Sequence, residues 1–508
     1  MSIVQEYLTL QACLNIVFEQ QKVDISTDAR ERVTHCFNFL TNFSKNKIIY
    51  GVNTGFGPMA QYRVSEGQQH QLQYNLIRSH AAGIGQPLNP RMVKAAMLSR
   101  LNTLSLGYSG VHYSVLELMQ SFINHDITPL IFAHGSVGAS GDLVQLAHLA
   151  LTLIGEGEVF YKGERVPTKD VMDALGLQPI DIHIREGLAL MNGTSVMTGI
   201  GIVNYHYANR LLDYSIAVSC MMNELVQTYD DHYSKELNQA KLHPGQLHIA
   251  QKMSEILSDS QLTKKRSDVL YQGEHEESIF KEKVQEYYSL RCLPQILGPV
   301  YDTIQEVGKV LERELNSAHD NPIIDVAAQN VFHGGNFHGD YISLEMDKLK
   351  IVVTRISMLA ERQLNYLLNP KINDILPAFV NLGTLGFNFG MQGAQFTATS
   401  TTAENQALSN PMYVHSIPNN NDNQDIVSMG TNAAMITNKV IENAFEVMTI
   451  QLLSIVQGID ALNLKGKLSS NSTALYKMVR EVMPTFVEDA PIYPFMQTLK
   501  TKIMESSL

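Results

Sequence analysis

Three long runs with helical periodicity constrain the fold most. From Tyr341 to Leu368, apolar residues recur at helical spacing, at Leu344, Leu349, Val352, Ile356 and Leu359, until Asn369-Pro370 ends the run. A second run extends from Ser195 to about Val226 and a third from about Met429 to Leu462. Helices of this length bury their apolar faces by pairing with one another, so the expected fold is mainly α, an elongated bundle of long helices. Strand-like alternation is rare; Glu158 to Val166 reads as a hairpin turning at Lys162-Gly163. Residues 258–283 are polar and charged, and read as an exposed loop or frayed helix. The expected division is an N-terminal domain, 1–195, and a long-helix bundle with C-terminal helices, 196–508.

Composition narrows the class. At 508 residues, 44% of them hydrophobic, the chain has material for a large core and more than one domain. Only 17% of residues are charged, against an ordinary ~25%, as expected if much surface is covered between subunits. A net charge of -12 argues against nucleic acid as a partner. The opening MSIVQEYLTLQ has neither a basic segment nor an apolar one, so no signal peptide is expected, and polar interruptions argue against a membrane span. Cys13, Cys36, Cys220 and Cys292 are widely separated, as in a reduced, cytoplasmic protein. No metal is expected, because the histidines do not cluster at ligand spacing; Asn204 to Arg210 (NYHYANR) reads as a helix face.

The chemistry concentrates in HGSVGASGDL, residues 134–143. It lacks the lysine of a phosphate loop, and Gly138-Ala139-Ser140-Gly141-Asp142 breaks the GxSxG nucleophile pattern at its last position. One reading is a turn leading into a helix, with Asp142 in the first helical turn. The other is a self-made electrophile. A tight bend brings the Gly141 nitrogen onto the Ala139 carbonyl, and Gly at that position removes the side chain that would block closure. Loss of the Ser140 hydroxyl as water then leaves 4-methylideneimidazol-5-one (MIO), a ring built from Ala139, Ser140 and Gly141 with no external cofactor. Strain in the loop and the positive end of the following helix favour it.

The Ala-Ser-Gly triplet occurs with further segments, in order: YGVNTGFG (50–57), NLIRSHAAGIG (75–85), LMNGTSVMTG (190–199), VQEYYSLRCLPQILG (284–298), DNP (320–322), GGNFHG (334–339) and NQDIVSMG (423–430). Together they resemble the aromatic amino acid ammonia-lyases, the MIO-containing enzymes acting on histidine, phenylalanine and tyrosine, across nearly the whole chain. The resemblance implies a fumarase/aspartase-like helical fold with an MIO-bearing N-terminal domain. It also implies a homotetramer whose active sites draw residues from more than one subunit.

Residue roles follow from the same resemblance. Tyr50 resembles the base that removes the β-proton. A tyrosine ordinarily holds its proton to pH ~10, so such a base depends on a site that favours the phenolate. Arg291 resembles the clamp for the substrate carboxylate, which a guanidinium fork matches in two hydrogen bonds. Tyr288, three residues earlier, resembles the tyrosine contacting the substrate amine, and Gln285 a further polar contact. Asn192 resembles the asparagine beside the electrophile and also suits a helix cap. Phe337 resembles the aromatic packing on the electrophile; Asn321 and Asn420 resemble further site residues.

The substrate signals conflict. In the resembled family, histidine enzymes usually carry Ser-His at the position of Ser79-His80, where phenylalanine enzymes carry Phe-Leu and many tyrosine enzymes His-Leu. Histidine enzymes usually carry Gln-Glu-Asp where this chain has Asn423-Gln424-Asp425, and their glutamate pairs with the imidazole. A hydrogen bond to a charged group contributes ~1.5–3 kcal/mol against ~1 for a neutral one, so loss of the carboxylate weakens histidine turnover. Ser79 or His80 can instead bond a phenol, and a site that pairs a hydroxyl rejects the analogue lacking it by up to ~10⁴–10⁵. The run 410–432 with QLQYNLIRSHAAG also resembles a bacterial branch of tyrosine enzymes. The expected reaction is therefore L-tyrosine to 4-coumarate and ammonia. Histidine to urocanate is the alternative, and a tyrosine 2,3-aminomutase the next. A non-catalytic helical bundle is the reading from another class, against which Tyr50, Ser140, Tyr288 and Arg291 all stand.

Overall fold

The computed structural model describes residues 2–4, 7–273, 278–506 and 508. The long helical runs form helices Ser195–Leu225, Asp340–Leu368 and Gly430–Ala461, and a fourth long helix covers Leu293–Leu315. Along Asp340–Leu368 the buried apolar positions include Ile342, Met346, Leu349, Val353, Ile356, Leu359, Leu364 and Leu367, at successive steps of three to five. Leu349, Ile356 and Leu359 are buried as expected, but Leu344 is 42% exposed. Five residues before Leu349, it points about 140° away around the helix. Gly430–Ala461 is apolar on nearly all sides and correspondingly buried, with Ile441, Phe445, Met448, Leu452 and Ile455 fully enclosed. It is the one helix among the described residues long and apolar enough to cross a membrane, and 83% of its apolar window is buried inside the protein.

The chain divides into two compact units. One comprises Met1–His206, Val307–Asp347 and Pro411–Asn438, the other Tyr207–Glu306, Lys348–Asn410 and Lys439–Leu508. The expected division at 195/196 falls at the start of helix Ser195–Leu225, whereas the first unit runs on to His206 and takes in two later segments. Those segments belong there because Gly339, Ser428 and Met429 hydrogen-bond the 134–143 loop, contacts a linear division cannot anticipate.

In the first unit, helix Pro90–Ser105 is buried from Met92 to Ser105 and forms its centre. An antiparallel pair, Ile84–Pro87 with Phe132–His134, joins the chain after Ser79-His80 to the strand leading into the 134–143 loop. The expected hairpin is present: Glu158–Tyr161 pairs with Glu164–Pro167, and Lys162 and Gly163 both have positive φ (52° and 85°), the geometry of a two-residue hairpin turn.

In the second unit, Leu211, Val218, Met221, Met222 and Leu225 are fully buried on the latter part of Ser195–Leu225. One cluster of buried polar side chains there is bonded internally. Asn405 donates to Ser357 Oγ (2.8 Å) and to the Val440 carbonyl (3.1 Å), and accepts from Asn443 (2.9 Å). The 258–283 stretch is loop apart from one turn, Arg266–Val269; its residues 274–277 lie outside the described residues.

Candidate active site

The 134–143 loop follows strand Phe132–His134 and ends in helix Leu143–Leu153. Gly138 and Gly141 both have positive φ, +74° and +68°. Gly141 is bridged to Gly193, and a Cβ on Gly141 would lie 2.0 Å from the Gly193 carbonyl oxygen, so only glycine fits. The next amide, Asp142 N, donates to that same carbonyl at 2.8 Å.

Ser140 is held from two directions. Asn192 Nδ2 donates to its carbonyl oxygen at 3.1 Å, and Gln424 Nε2 donates to its Oγ at 2.8 Å. Gly138 O accepts from Gly339 N (3.0 Å) and from Ser428 Oγ (2.9 Å), and Val137 O accepts from Met429 N (3.0 Å). Three segments distant in sequence thus converge on residues 137–140 of the loop.

Asp142 acts differently from the expectation. It is the N-cap residue of helix Leu143–Leu153, one position before the first turn, and its side chain makes no capping hydrogen bond there. Its fully buried carboxylate turns to a different helix, accepting from Val196 N and Met197 N at 2.9 Å each, the first turn of Ser195–Leu225. Ser136 Oγ (2.8 Å) and Thr431 Oγ1 bond its other oxygen. Burial pushes this carboxyl up, and the four hydrogen bonds pull it back. Two helix N-termini therefore begin beside Ser140, placing positive ends of helix dipoles there. Asn192 ends helix Glu186–Met191 as its C-cap; Asp142 takes the capping role that suited Asn192.

Tyr50 lies in the irregular segment before Gly57, whose N–H donates to the phenol oxygen at 3.0 Å. The Phe56 ring stands edge-on to it, 6.1 Å away. Asn420 belongs to this same corner: a Cβ on Gly57 would meet its Nδ2 at 2.9 Å. Asn420 sits in a turn of left-handed residues and accepts from Asn423 N at 3.2 Å. Asn423 itself is exposed, while Gln424 is half-buried against Ser140.

Ser79 and His80 end helix Glu66–His80. His80 Nδ1 lies 3.0 Å from the Leu76 carbonyl, and Ser79 Oγ lies 3.1 Å from both. A carbonyl requires N–H at Nδ1, so a neutral His80 presents Nε2 as an acceptor. Asn321 accepts from Gly334 N at 2.8 Å, which anchors the Gly334–Gly339 turn carrying half-buried Phe337. Gln285, Tyr288 and Arg291 belong to the second unit. Gln285 is exposed, Tyr288 is 70% exposed, and the Arg291 guanidinium lies over the Tyr288 ring at 4.8 Å, as spacing of three in the helical turn Tyr288–Arg291 allows.

Sequence reasoning missed Gln73. Fully buried, it accepts from Leu188 N (3.3 Å) and donates to Gly51 O (3.4 Å), tying helix Glu66–His80 to the residue after Tyr50 and to the helix ending at Asn192. A polar residue on the apolar face of that helix was the one available signal. Among the described residues, no three His, Cys, Asp or Glu side chains are placed to hold a metal.

Residues 8–481 match the family profile described as aromatic amino acid lyase. The chain is 37% identical over 488 residues to a histidine ammonia-lyase of Caldanaerobacter subterraneus subsp. tengcongensis, covering 96% of this chain and 93% of the relative. It is 36% identical over 507 residues to a tyrosine 2,3-aminomutase of Chondromyces crocatus, covering 98% and 95%. Among solved structures, tyrosine aminomutase from Streptomyces globisporus superposes with a TM-score of 0.95 at 34% identity, covering 99% of this chain and 96% of that one.

Proposed function

The chain belongs to the aromatic amino acid lyase family, and on that premise we propose that it eliminates ammonia from L-tyrosine to give 4-coumarate. The observation that carries this reading is the cradle around Ser140. Asn192 holds the carbonyl, Gln424 the hydroxyl, and Gly193 the back of Gly141. These residues suit formation of the MIO ring from Ala139, Ser140 and Gly141, with no external cofactor. Once formed, the ring supplies an electrophile that turns the substrate's amine or ring into part of a better leaving system.

The rest is work for side chains. Gln424, donating to Ser140 Oγ, assists departure of that oxygen as water. Asn192, donating to the Ser140 carbonyl, draws electron density toward its oxygen. Tyr50, oriented by the Gly57 N–H, takes the β-proton. Arg291 is suited to the substrate carboxylate: its Nε is buried without a hydrogen-bond partner among the described residues, and a carboxylate satisfies the guanidinium fork. Tyr288 meets the amine and Gln285 adds a polar contact. Phe337 packs on the ring, and Asn321, Asn420 and Asn423 line the site. For tyrosine, His80 Nε2 accepts the phenol proton, with Ser79 as its neighbour. The enzyme acts as a cytoplasmic homotetramer.

Histidine is the second reading. Ser79-His80 and the histidine ammonia-lyase relative favour it; Gln424, neutral where an imidazole gains from a carboxylate, opposes it. An aminomutase shares the elimination and returns the amine to the β-carbon. An ultraviolet assay with L-tyrosine, L-histidine and L-phenylalanine in parallel decides. Fast 4-coumarate with little urocanate supports tyrosine; dominant urocanate overturns it. Accumulation of β-tyrosine assigns the aminomutase.

A further inference from the structure

His319 lies fully buried in the irregular segment after helix Leu293–Leu315. Its Nε2 is 2.7 Å from Thr103 Oγ1. The Thr103 hydroxyl proton goes to the Ser317 carbonyl at 3.0 Å, so Thr103 Oγ1 is free to accept and Nε2 carries the hydrogen. Nδ1 is then a lone pair, and two donors face it: Thr194 N at 3.3 Å and Arg100 Nη1 at 3.4 Å. Only neutral imidazole with hydrogen on Nε2 meets all three neighbours. Burial, then the Arg100 charge, holds this imidazole down at about 3, in agreement.

Arg100 is fully buried too, anchored by Nη2 on the Ala189 carbonyl. Imidazole and guanidinium together form a floor under Gly193. A Cβ on Gly193 would lie 2.4 Å from both His319 Nδ1 and Arg100 Nη1. Gly193 in turn is the wall behind Gly141 and the acceptor for Asp142 N–H. The stack runs His319, Gly193, Gly141, with Asn192 and its contact to Ser140 one residue along.

We infer that His319 is a positioning residue for ring formation: through Gly193 it sets the place of the Gly141 nitrogen that attacks the Ala139 carbonyl. This rests on the MIO reading above. In the reaction, a bond forms between Gly141 N and Ala139 C. The Ala139 oxygen leaves as one water, with the amide hydrogens of Ser140 and Gly141. The Ser140 hydroxyl, oxygen and hydrogen together, and the Cα hydrogen leave as a second water. Nothing is oxidised or reduced. His319 transfers no proton; it fixes geometry, and a misplacement of ~1 Å at a reacting atom costs up to ~10²-fold in rate.

The test is intact mass followed over time after a short pulse of expression, for wild type, His319→Ala and His319→Asn. Wild type becomes two waters lighter. In His319→Ala that loss slows about 10- to 100-fold, while His319→Asn, which keeps an acceptor for Thr194 N–H, lies between. Chains that have cyclised keep the wild-type KM, and kcat per ring stays within about two-fold. A folded His319→Ala that cyclises as fast as wild type overturns the inference. Should His319→Ala fail to fold, Thr103→Val serves: the imidazole stays but loses the partner of Nε2–H. Slowed cyclisation supports the role and wild-type speed overturns it. A wild-type chain that keeps its full mass overturns the MIO reading instead, which separates the two failures.

Discussion

At Ser140 two amides do different work, and the difference yields a prediction about substrate choice. Asn192 bonds a carbonyl, an acceptor under any ring chemistry, whereas Gln424 bonds the hydroxyl and belongs to the segment that conflicts with Ser79-His80 in the substrate signals. Gln424→Glu puts a carboxylate where an imidazole gains a charged partner and a phenol does not. The ratio of kcat/KM for histidine over tyrosine should then rise about ten-fold or more, the difference between charged and neutral hydrogen bonds. Parallel urocanate and 4-coumarate assays, normalised to the cyclised fraction by mass, check it; an unchanged ratio removes Gln424 from substrate choice. Residues of this kind were legible in the sequence because their chemistry is local to a short motif. The partners of Ser140 were legible as residues but not as contacts, since Gln424 is 284 positions away. His319 was not legible, and Gln73 only as a polar residue on an apolar helix face. A buried histidine and a buried glutamine gain meaning only from Thr103, Thr194, Leu188 and Gly51, which the fold brings to them.

Among elements, the long helices were readable from periodicity, their first residues included, but what holds those first turns was not. Helix Ser195–Leu225 starts on a carboxylate more than fifty residues earlier, because Asp142 accepts from Val196 and Met197. Asp142→Ala leaves those two N–H groups and the Ser136 and Thr431 hydroxyls without it. The loss of a buried cap of this kind should cost at least about 2 kcal/mol, read as a lower denaturant midpoint at unchanged slope. A midpoint equal to wild type would show that the helix start is held by other contacts. Glu186 makes a related joint, accepting from His112 N (2.5 Å) before helix Tyr113–Asn124 and from His183 N (2.6 Å) before its own. Burial pushes this carboxyl up to about 7, against the pull of the two N–H donors. A raised carboxyl binds its proton more tightly folded than unfolded, so its stabilisation is full below ~4.5 and fades as pH rises through ~7. Unfolding free energies between about pH 4.5 and about pH 7 should therefore fall more steeply for wild type than for Glu186→Gln, by up to about 1.4 kcal/mol per pH unit, and run parallel above that range. Parallel curves within it would mean that Glu186 is already ionised at the lower end.

At the scale of the whole molecule, the residues proposed for the site belong to two different units, and this leads to a prediction about assembly. Tyr50, Ser140, Asn192 and Gln424 belong to the first unit, Gln285, Tyr288 and Arg291 to the second. On the single chain Tyr288 is 70% exposed, and helix Asp340–Leu368 leaves Tyr341 72%, Ile351 48% and Leu344 42% exposed away from its buried face. Apolar side chains exposed to this extent on one helix call for cover, and the low charge fraction of the sequence points the same way. The proposed dihedral homotetramer would supply that cover and let Arg291 of one subunit serve Ser140 of another. Ser140→Ala and Arg291→Met chains, each inactive alone, should then regain activity when mixed. With equal amounts and free exchange, a site takes an intact Ser140 half the time and an intact Arg291 half the time, so about a quarter of sites are whole. Native mass spectrometry establishes the exchange and 4-coumarate release reports the sites. If both residues of a site come from one chain, every site keeps one lesion, and tetramers shown to be mixed stay inactive. Activity near a quarter of wild type therefore requires sites assembled across subunits, with Arg291 of one chain completing the site at Ser140 of another.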